Sequence, residues 1–404
     1  MDARSDAWAA SGAMFLTGRV DGPPLGAPGA LVDMIGLAAD ILRRHSDGRV
    51  DVDGLALLGE RAALGGMVRQ GSVSCGGNSR LLEAADGWVA VCLARTSDVD
   101  ALPAWLGRDL PAGYPWREVA DAVATLPAAE LDERAALLGL PCAALGSVEP
   151  PPSPVFGLPL TAERVRPPSE PTGDMRHAMV IDLSALWAGP LCAQLLAEAG
   201  AQVIKMESTD RPDGARRDPR HFYDLLNGQK RSVALDLETQ NGRRDLRRLI
   251  QRADVVIESS RPRALEQMGI SATEMLREEG GPRVWVSITS HGRAPESALR
   301  VGFGDVAAAA GGLVAYDDDG PCFLSDAVAD PVTGLVGAAA ALEALADGGT
   351  WLINAAMAPM AAALAGPPLN VEGHEARPPR ARAAVRRAPP LGADTDSVLR
   401  ALRS

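Results

Sequence analysis

Between Ala178 and Ser290 short apolar runs alternate with helix-patterned stretches, and that alternation limits the fold more than any other feature of the chain. "AMVIDLS" reads as a buried strand, "GPLCAQLLAEAG" as a helix opened by Pro190 and closed by Gly200, and "AQVIKMES" as the next strand. The rhythm continues through "RSVALDL", the charged helix "QNGRRDLRRLIQRA", "DVVIESS", the short helix "PRALEQMG" and "RVWVSITS". Strands that are apolar along their whole length and alternate with helices belong to a parallel sheet covered on both faces. The spacing predicts an α/β protein with a Rossmann-like large domain.

Upstream the pattern differs. "NSRLLEAADGWVAVCLART" predicts two strands around a turn at Asp86-Gly87, and "PWREVADAVATLPAAELDERAALLGL" predicts two amphipathic helices. Together they make a small α+β domain over 70–148. Proline density over 149–177 predicts an extended linker, with the Rossmann-like unit at 178–404. Residues 1–69 carry apolar helices, "GALVDMIGLAADILRRH" and "VDGLALLGERAALGG", but are too few to hold a core alone, so they are expected to pack on the large domain. The formal charge of −12, with Lys and Arg dispersed, argues against nucleic acid or an anionic membrane as the main partner. An N-terminus without a basic region and apolar core, and no membrane-length apolar run, point to a cytoplasmic protein. Five cysteines without CxxC spacing suggest neither a disulfide framework nor a zinc site, and no metal is expected.

Three places could carry chemistry. In "AVADPVTGLVGAAAALEAL", residues 327–345, Asp330 is a lone carboxylate at the mouth of an Ala-rich helix. It reads either as an N-cap, with Pro331 in the first turn, or as a functional acid. The turn "DLSALWAGP" leads into a helix N-terminus that suits an anion, yet lacks G-x-G-x-x-G, which disfavours a nicotinamide enzyme. Arg211, Arg216, Arg217, Arg220, Lys230 and Arg231 cluster around one strand start, as a phosphate-binding patch or as a solvated face. A weak internal repeat sets "SGAMFLTGRVDGPPLGAPGALVDMIGLAADIL" against "GGLVAYDDDGPCFLSDAVADPVTGLVGAAAALEAL", with Val32 where Asp330 stands.

"VIDLSALWAGPLCAQLLAEAGAQVIKMES", "LLNGQKRSVALDL", "ADVVIESSRPRALEQMGI", "VWVSITSHG" and "VGFGDVAAAAGGL", in that order, resemble the family III CoA-transferases, the carnitine- and formyl-CoA transferase group that also contains α-methylacyl-CoA racemases. The closing "APPLGADTDSVLRALRS" resembles the family's C-terminal signature. The resemblance places the nucleophile at Asp330, with Gly334 four residues on. It implies coenzyme A, as acyl-CoA, bound near Ala188, Gly189, Pro190, Asn227, Lys230, Arg231 and Arg261, with a carboxylic acid as second substrate. CoA would move through acyl-aspartyl anhydride and aspartyl-CoA thioester intermediates. An apolar surround would desolvate the acid and exclude water, while Gly334 and Gly337 would admit the thioester. An interlocked homodimer is also implied.

The sequence departs from the family in three ways. "ESSRPRA" stands where an Asn-containing "EN-x-RPG" is usual, Asn354 stands where an Asp is common, and the small-domain-like stretch precedes the nucleotide-binding half, so the order of parts reads as permuted. Two alternatives follow. A racemase would need a His before Asp305, where this chain has Gly304; of His45, His177, His221, His291 and His374, only His291 falls near the motifs. A CoA-binding member with little turnover is the other.

Overall fold

The computed structural model describes residues 2–111, 113, 116–168, 175–217, 220–260 and 262–402. A small antiparallel sheet comes first, from β1 (Ser79–Ala84), β2 (Gly87–Cys92) and β3 (Cys142–Ala144), with Ala84 opposite Gly87 across the Asp86-Gly87 turn. One face packs on the helices Leu102–Leu106, Trp116–Val123 and Ala128–Leu138, around Trp105, Val119 and Leu131. Leu81, Ala90, Cys92 and Ala143 of the small sheet join the main core instead.

The large sheet contains β4 (Thr161–Arg166), β5 (Met179–Asp182), β6 (Gln202–Ser208), β7 (Arg231–Leu235), β8 (Val255–Glu258) and β9 (Val284–Thr289). A short hairpin follows, β10 (Ala315–Asp317) and β11 (Gly320–Cys322), and β12 (Thr350–Ala356) completes the large sheet. Its order is β7-β6-β5-β8-β9-β12-β4, parallel throughout except for β4. Consecutive residues serve opposite faces: Val180 packs with the Ala188–Glu198 and Ala329–Asp347 helices, Ile181 with the Gln240–Gln251 helix. Strands buried on both sides explain the continuous apolar runs.

The proline-rich 149–177 stretch is more than a connector, since it supplies edge strand β4. An outer strand tolerates flanking prolines because its outer N–H groups need no ladder partner. On the opposite edge, the Ser232 N–H donates to Asp394 (2.8 Å) and the Ala234 N–H to Thr395 (3.0 Å), so the C-terminal segment covers β7.

The Ala329–Asp347 helix is long and apolar enough to cross a membrane, but 83% of that stretch is buried inside the chain, between the Ala188–Glu198 and Gly29–His45 helices. Gly334 makes this packing close: a Cβ there would sit 2.7 Å from the Ala188 carbonyl oxygen. Gly337 likewise faces Cys192 and Val286. Gly334 thus serves helix packing, which corrects the expectation that it opens space for a thioester, whereas a Cβ at Gly337 would make only ordinary contacts at 3.6 Å.

Candidate active site

In the sheet order, the chain runs one way from β5 through β6 to β7, and the other way through β8, β9 and β12. At such a switch point the loops diverge and leave a crevice beyond the carboxyl ends of the strands. A pocket of about 240 Å³ lies there. Its walls come from Ala185, Leu186, Ala188 and Gly189 after β5, Ser259 and Ser260 after β8, and Ile288, Thr289 and Ser290 at the end of β9. Asp330 reaches it from the Ala329–Asp347 helix, Arg95 from the small domain and Arg300 from the loop after β9.

Asp330 is not a cap. The N-cap is Val328, Asp330 is the second helical residue, and its carboxylate accepts the Gly304 N–H at 3.1 Å from a different helix, Gly304–Ala310. The backbone before it is strained, with Ser325 at φ 50° and Ala327 at φ 45°, a region non-glycine residues avoid. That turn is pinned by distant partners. The Ser325 N–H donates to Thr17 Oγ1 (3.0 Å), its hydroxyl donates to the Leu58 carbonyl (3.0 Å), and the Ala327 N–H donates to Asp305 Oδ1 (3.1 Å). Ser79 Oγ donates to the other Asp305 oxygen at 3.0 Å, tying the small domain to the same turn.

Charge is unbalanced here. Among the described residues, Asp305, Asp326 and Asp330 share a single guanidinium, Arg61, which forks onto Asp326 and lies 5.1 Å from the Trp187 ring. Asp330 is half-buried, its exposure directed into the pocket. Loss of water raises its pKa to about 7; Arg61 opposes this, Asp305 adds to it, and the Gly304 N–H subtracts. Burial and the neighbouring Asp326 likewise lift Asp305 to about 6, against Arg61.

Gly304 is fixed by the same geometry. A Cβ at that position would lie 2.3 Å from the Ala327 oxygen and 2.5 Å from Asp330 Oδ2, so no side chain fits there without moving the carboxylate.

A family model described as CoA-transferase family III matches residues 175–393. The chain belongs to CoA-transferase family III. Among curated relatives, the succinyl-CoA–D-citramalate CoA-transferase of Chloroflexus aurantiacus is 33% identical over 190 residues, 45% of this chain and 46% of that protein. A formyl-CoA:oxalate CoA-transferase of Streptomyces avermitilis is 32% identical over 175 residues, 41% and 42% respectively. This family member thus spans less than half the length of those relatives. A solved CaiB/BaiF family protein from Brucella suis is 29% identical, covering 46% of this chain and 53% of its own, with a TM-score of 0.42.

The CoA contacts expected for a family III member divide into groups. Ala188 and Gly189 line the pocket with Asp330, and Pro190 follows them in the same helix. Lys230 does not face solvent: it is 1% exposed, and its three N–H groups donate to Asp182 (2.8 Å), the Pro190 carbonyl (2.9 Å) and Asn227 Oδ1 (2.9 Å). Lys230 and Asn227 therefore hold the helix start from below, with no donor left on the lysine for a phosphate. Arg231 donates to Ser397 at 2.9 Å on the C-terminal segment. Arg261 lies outside the described residues. Of the remaining basic cluster, Arg216 forks onto Glu207 and stacks on Tyr223, Arg220 approaches Asp224 at 3.8 Å, and Arg211 and Arg217 are exposed. Asn354 donates to Thr161 at 3.2 Å, joining β12 to β4.

Sequence reasoning missed Arg61, Asp305 and Asp326 as a unit with Asp330. It also missed Arg95 and Arg300.

Proposed function

We propose that the protein transfers CoA from an acyl-CoA thioester to a carboxylic acid, with Asp330 as the covalent carrier. The observation that carries this reading is a half-buried carboxylate, raised to about 7 and held by the Gly304 N–H, on the wall of the switch-point pocket. Ionised Asp330 attacks the thioester carbonyl, forming an acyl-aspartyl anhydride and releasing CoA thiolate. The thiolate attacks the aspartyl carbonyl, giving aspartyl-CoA thioester and the free donor acid. The acceptor carboxylate then displaces CoA to form a second anhydride. Thiolate attack on its acceptor carbonyl yields the new acyl-CoA and returns Asp330.

The chain's own groups have definite tasks in this scheme. The Gly304 N–H orients Asp330 Oδ2, the pinned 325–327 turn holds the carboxylate at the pocket wall, and apolar packing around Val328, Ala329 and Val332 keeps water from the anhydrides. The thioester end of CoA would enter between Ala188–Gly189 and Ser259–Ser260, where Ser290 Oγ is buried without a partner and available to a pantetheine amide. A carboxylate with a pKa near 7 repays its desolvation in nucleophilicity, and activity should rise with pH to a plateau above about 7. A racemase reading is disfavoured, because Gly304 stands where that branch's histidine would and carries no side chain to move a proton. The working state under this proposal is a cytoplasmic homodimer, which light scattering of the purified protein checks.

The test is incubation with a panel of acyl-CoAs, trapping with hydroxylamine and mass spectrometry of the Asp330 peptide. An Asp330 hydroxamate is expected, and Asp330→Ala should lower CoA exchange about 10⁴-fold while CoA still binds. Full activity in that variant would remove the mechanism.

A further inference from the structure

Arg300 is shared by two cavities. One is the Asp330 pocket; the other, of about 260 Å³, is lined by Asp132, Ser147, Val148, Glu149, His291, Ser297 and Arg300. The guanidinium stands in the partition between them, one-quarter exposed. Its Nη1 donates to Asp132 of the small domain. The Nε and Nη2 hydrogens, which form the other edge of the guanidinium fork, have no acceptor among the described residues. Arg95, the second arginine on the pocket, is differently placed. Its Nε and Nη2 are taken by Asp98 and the Gly139 carbonyl, and it lies 5.8 Å from the Phe303 ring.

A half-open guanidinium edge on the wall of a pocket is matched by an oxyanion bound through two parallel N–H···O bonds, a carboxylate or a phosphate, and the acid substrate is the oxyanion that must come to the pocket of Asp330 itself. The carboxylate that reacts at Asp330 cannot supply the contact, since that group is consumed at the nucleophile. Ala298, Val301, Gly302 and Phe303 line the same pocket as Asp330 and Arg300, which offers a short methylene chain apolar surface to lie against. Behind Arg300, His291 is 9% exposed with both ring nitrogens unpartnered, and burial with the nearby Arg300 keeps it uncharged. It therefore adds no second positive charge, and the anion contact falls to Arg300.

Resting on the transferase reading above, we propose that Arg300 docks the remote carboxylate of the acid substrate, so that the protein uses short dicarboxylic acids in preference to monocarboxylic acids of equal length. Asp132 anchors the guanidinium through Nη1, which leaves the Nε/Nη2 edge of a pocket-lining arginine for the substrate. A monocarboxylic acid would lay its alkyl end against that charge. The discrimination comes from a charge-assisted fork that forms with one class of acid and is missing with the other.

The test compares succinate with butyrate and glutarate with valerate as acceptors from a common acyl-CoA donor, with product CoA esters resolved by chromatography. The expected wild-type result is a kcat/KM at least about tenfold higher for each dicarboxylate, the range for a hydrogen-bonded charge. Arg300→Met should raise the dicarboxylate KM by about that factor, more than it lowers kcat, and bring the ratio toward one. Asp132→Asn removes the anchor but leaves the guanidinium, so it should retain the preference. Equal use of the paired acids by the wild type overturns the subsite while leaving the transferase standing. Equal losses in both variants also overturn it, by reducing Arg300 to an interdomain tie. Absence of transfer to every acid, with no trapped Asp330, overturns the transferase reading and the subsite with it.

Discussion

Two buried ionic clusters reach the first turn of the Ala188–Glu198 helix, and they are composed on opposite terms. Beneath the turn, Lys230 meets Asp182 at 2.8 Å and Lys205 meets Asp213 at 3.0 Å, while Arg216 forks onto Glu207. Each charge has its opposite. Burial alone would raise Asp182, but Lys230 and Lys205 hold it below its ordinary value. Above the turn, Asp305, Asp326 and Asp330 crowd one guanidinium, and both Asp305 and Asp330 are pushed up. A balanced cluster spends its charges on holding shape. A cluster with surplus negative charge keeps a carboxylate under electrostatic load, the state that the proposed covalent role of Asp330 would use.

The contrast is broken most forcefully from the balanced side. Lys230→Met would strand Asp182, which is fully buried, and leave the Pro190 and Asn227 oxygens without a donor. A loss of about 3–5 kcal/mol in unfolding free energy is expected, read by urea denaturation. If Lys230 instead served CoA alone, stability would stay near wild type and the Michaelis constant would carry the change.

On the loaded side a substitution should do the reverse. Asp330 has a folded pKa of about 7 against an unfolded value near 3.8, so the native state holds on to a proton that the unfolded chain releases. The cost of ionising it therefore grows as pH rises from about 4 to about 7 and is constant above. Asp330→Asn keeps an acceptor for the Gly304 N–H and escapes that cost. It should stabilise the protein by up to roughly 4 kcal/mol at pH 8, less whatever solvent in the pocket screens, with the gain vanishing toward pH 4, as thermal melts across pH would register. A constant gain at all pH values would disprove the electrostatic load.

The smallest effect sharpens the role of the shared cation. Arg61→Lys preserves the charge but gives up the fork onto Asp326, so its pull on Asp330 weakens. The midpoint of the pH–rate profile should move upward by about half a unit. A downward move would mean that Arg61 does not stabilise the ionised form.

Much of the large domain was legible because strands buried on both faces leave unbroken apolar runs. β12 was not, since "TWLINAA" passes directly into the helix Met357–Leu364 and Ala356 both ends the strand and caps the helix, leaving no turn residue to mark the change. β4 was hidden among prolines that an edge strand accepts. Asp330 stood out as a lone charge in an apolar run, and the family resemblance supported it. Its partners did not, because Arg61 looks like any surface arginine in "LALLGERAALGG", and nothing local relates it to Asp326. Lys230 was misread for a related reason. Charge is visible in a sequence and exposure is not, although its place just before a buried strand was a signal that it could turn inward.

The contact between Arg61 and Asp326 joins residues 265 positions apart. Closing so long a loop carries an entropy cost that neighbouring contacts do not. Until Thr17, Leu58 and Arg61 arrive, nothing compels Ser325 and Ala327 into their left-handed conformations, and Asp330 is a hydrated, ordinary aspartate. A partly opened chain thus lacks the raised carboxylate on which the proposed thioester chemistry rests. Under the transferase reading proposed above, the same long-range closures that shield the pocket also raise Asp330, so a chain unable to protect an anhydride from water would also be unable to make one.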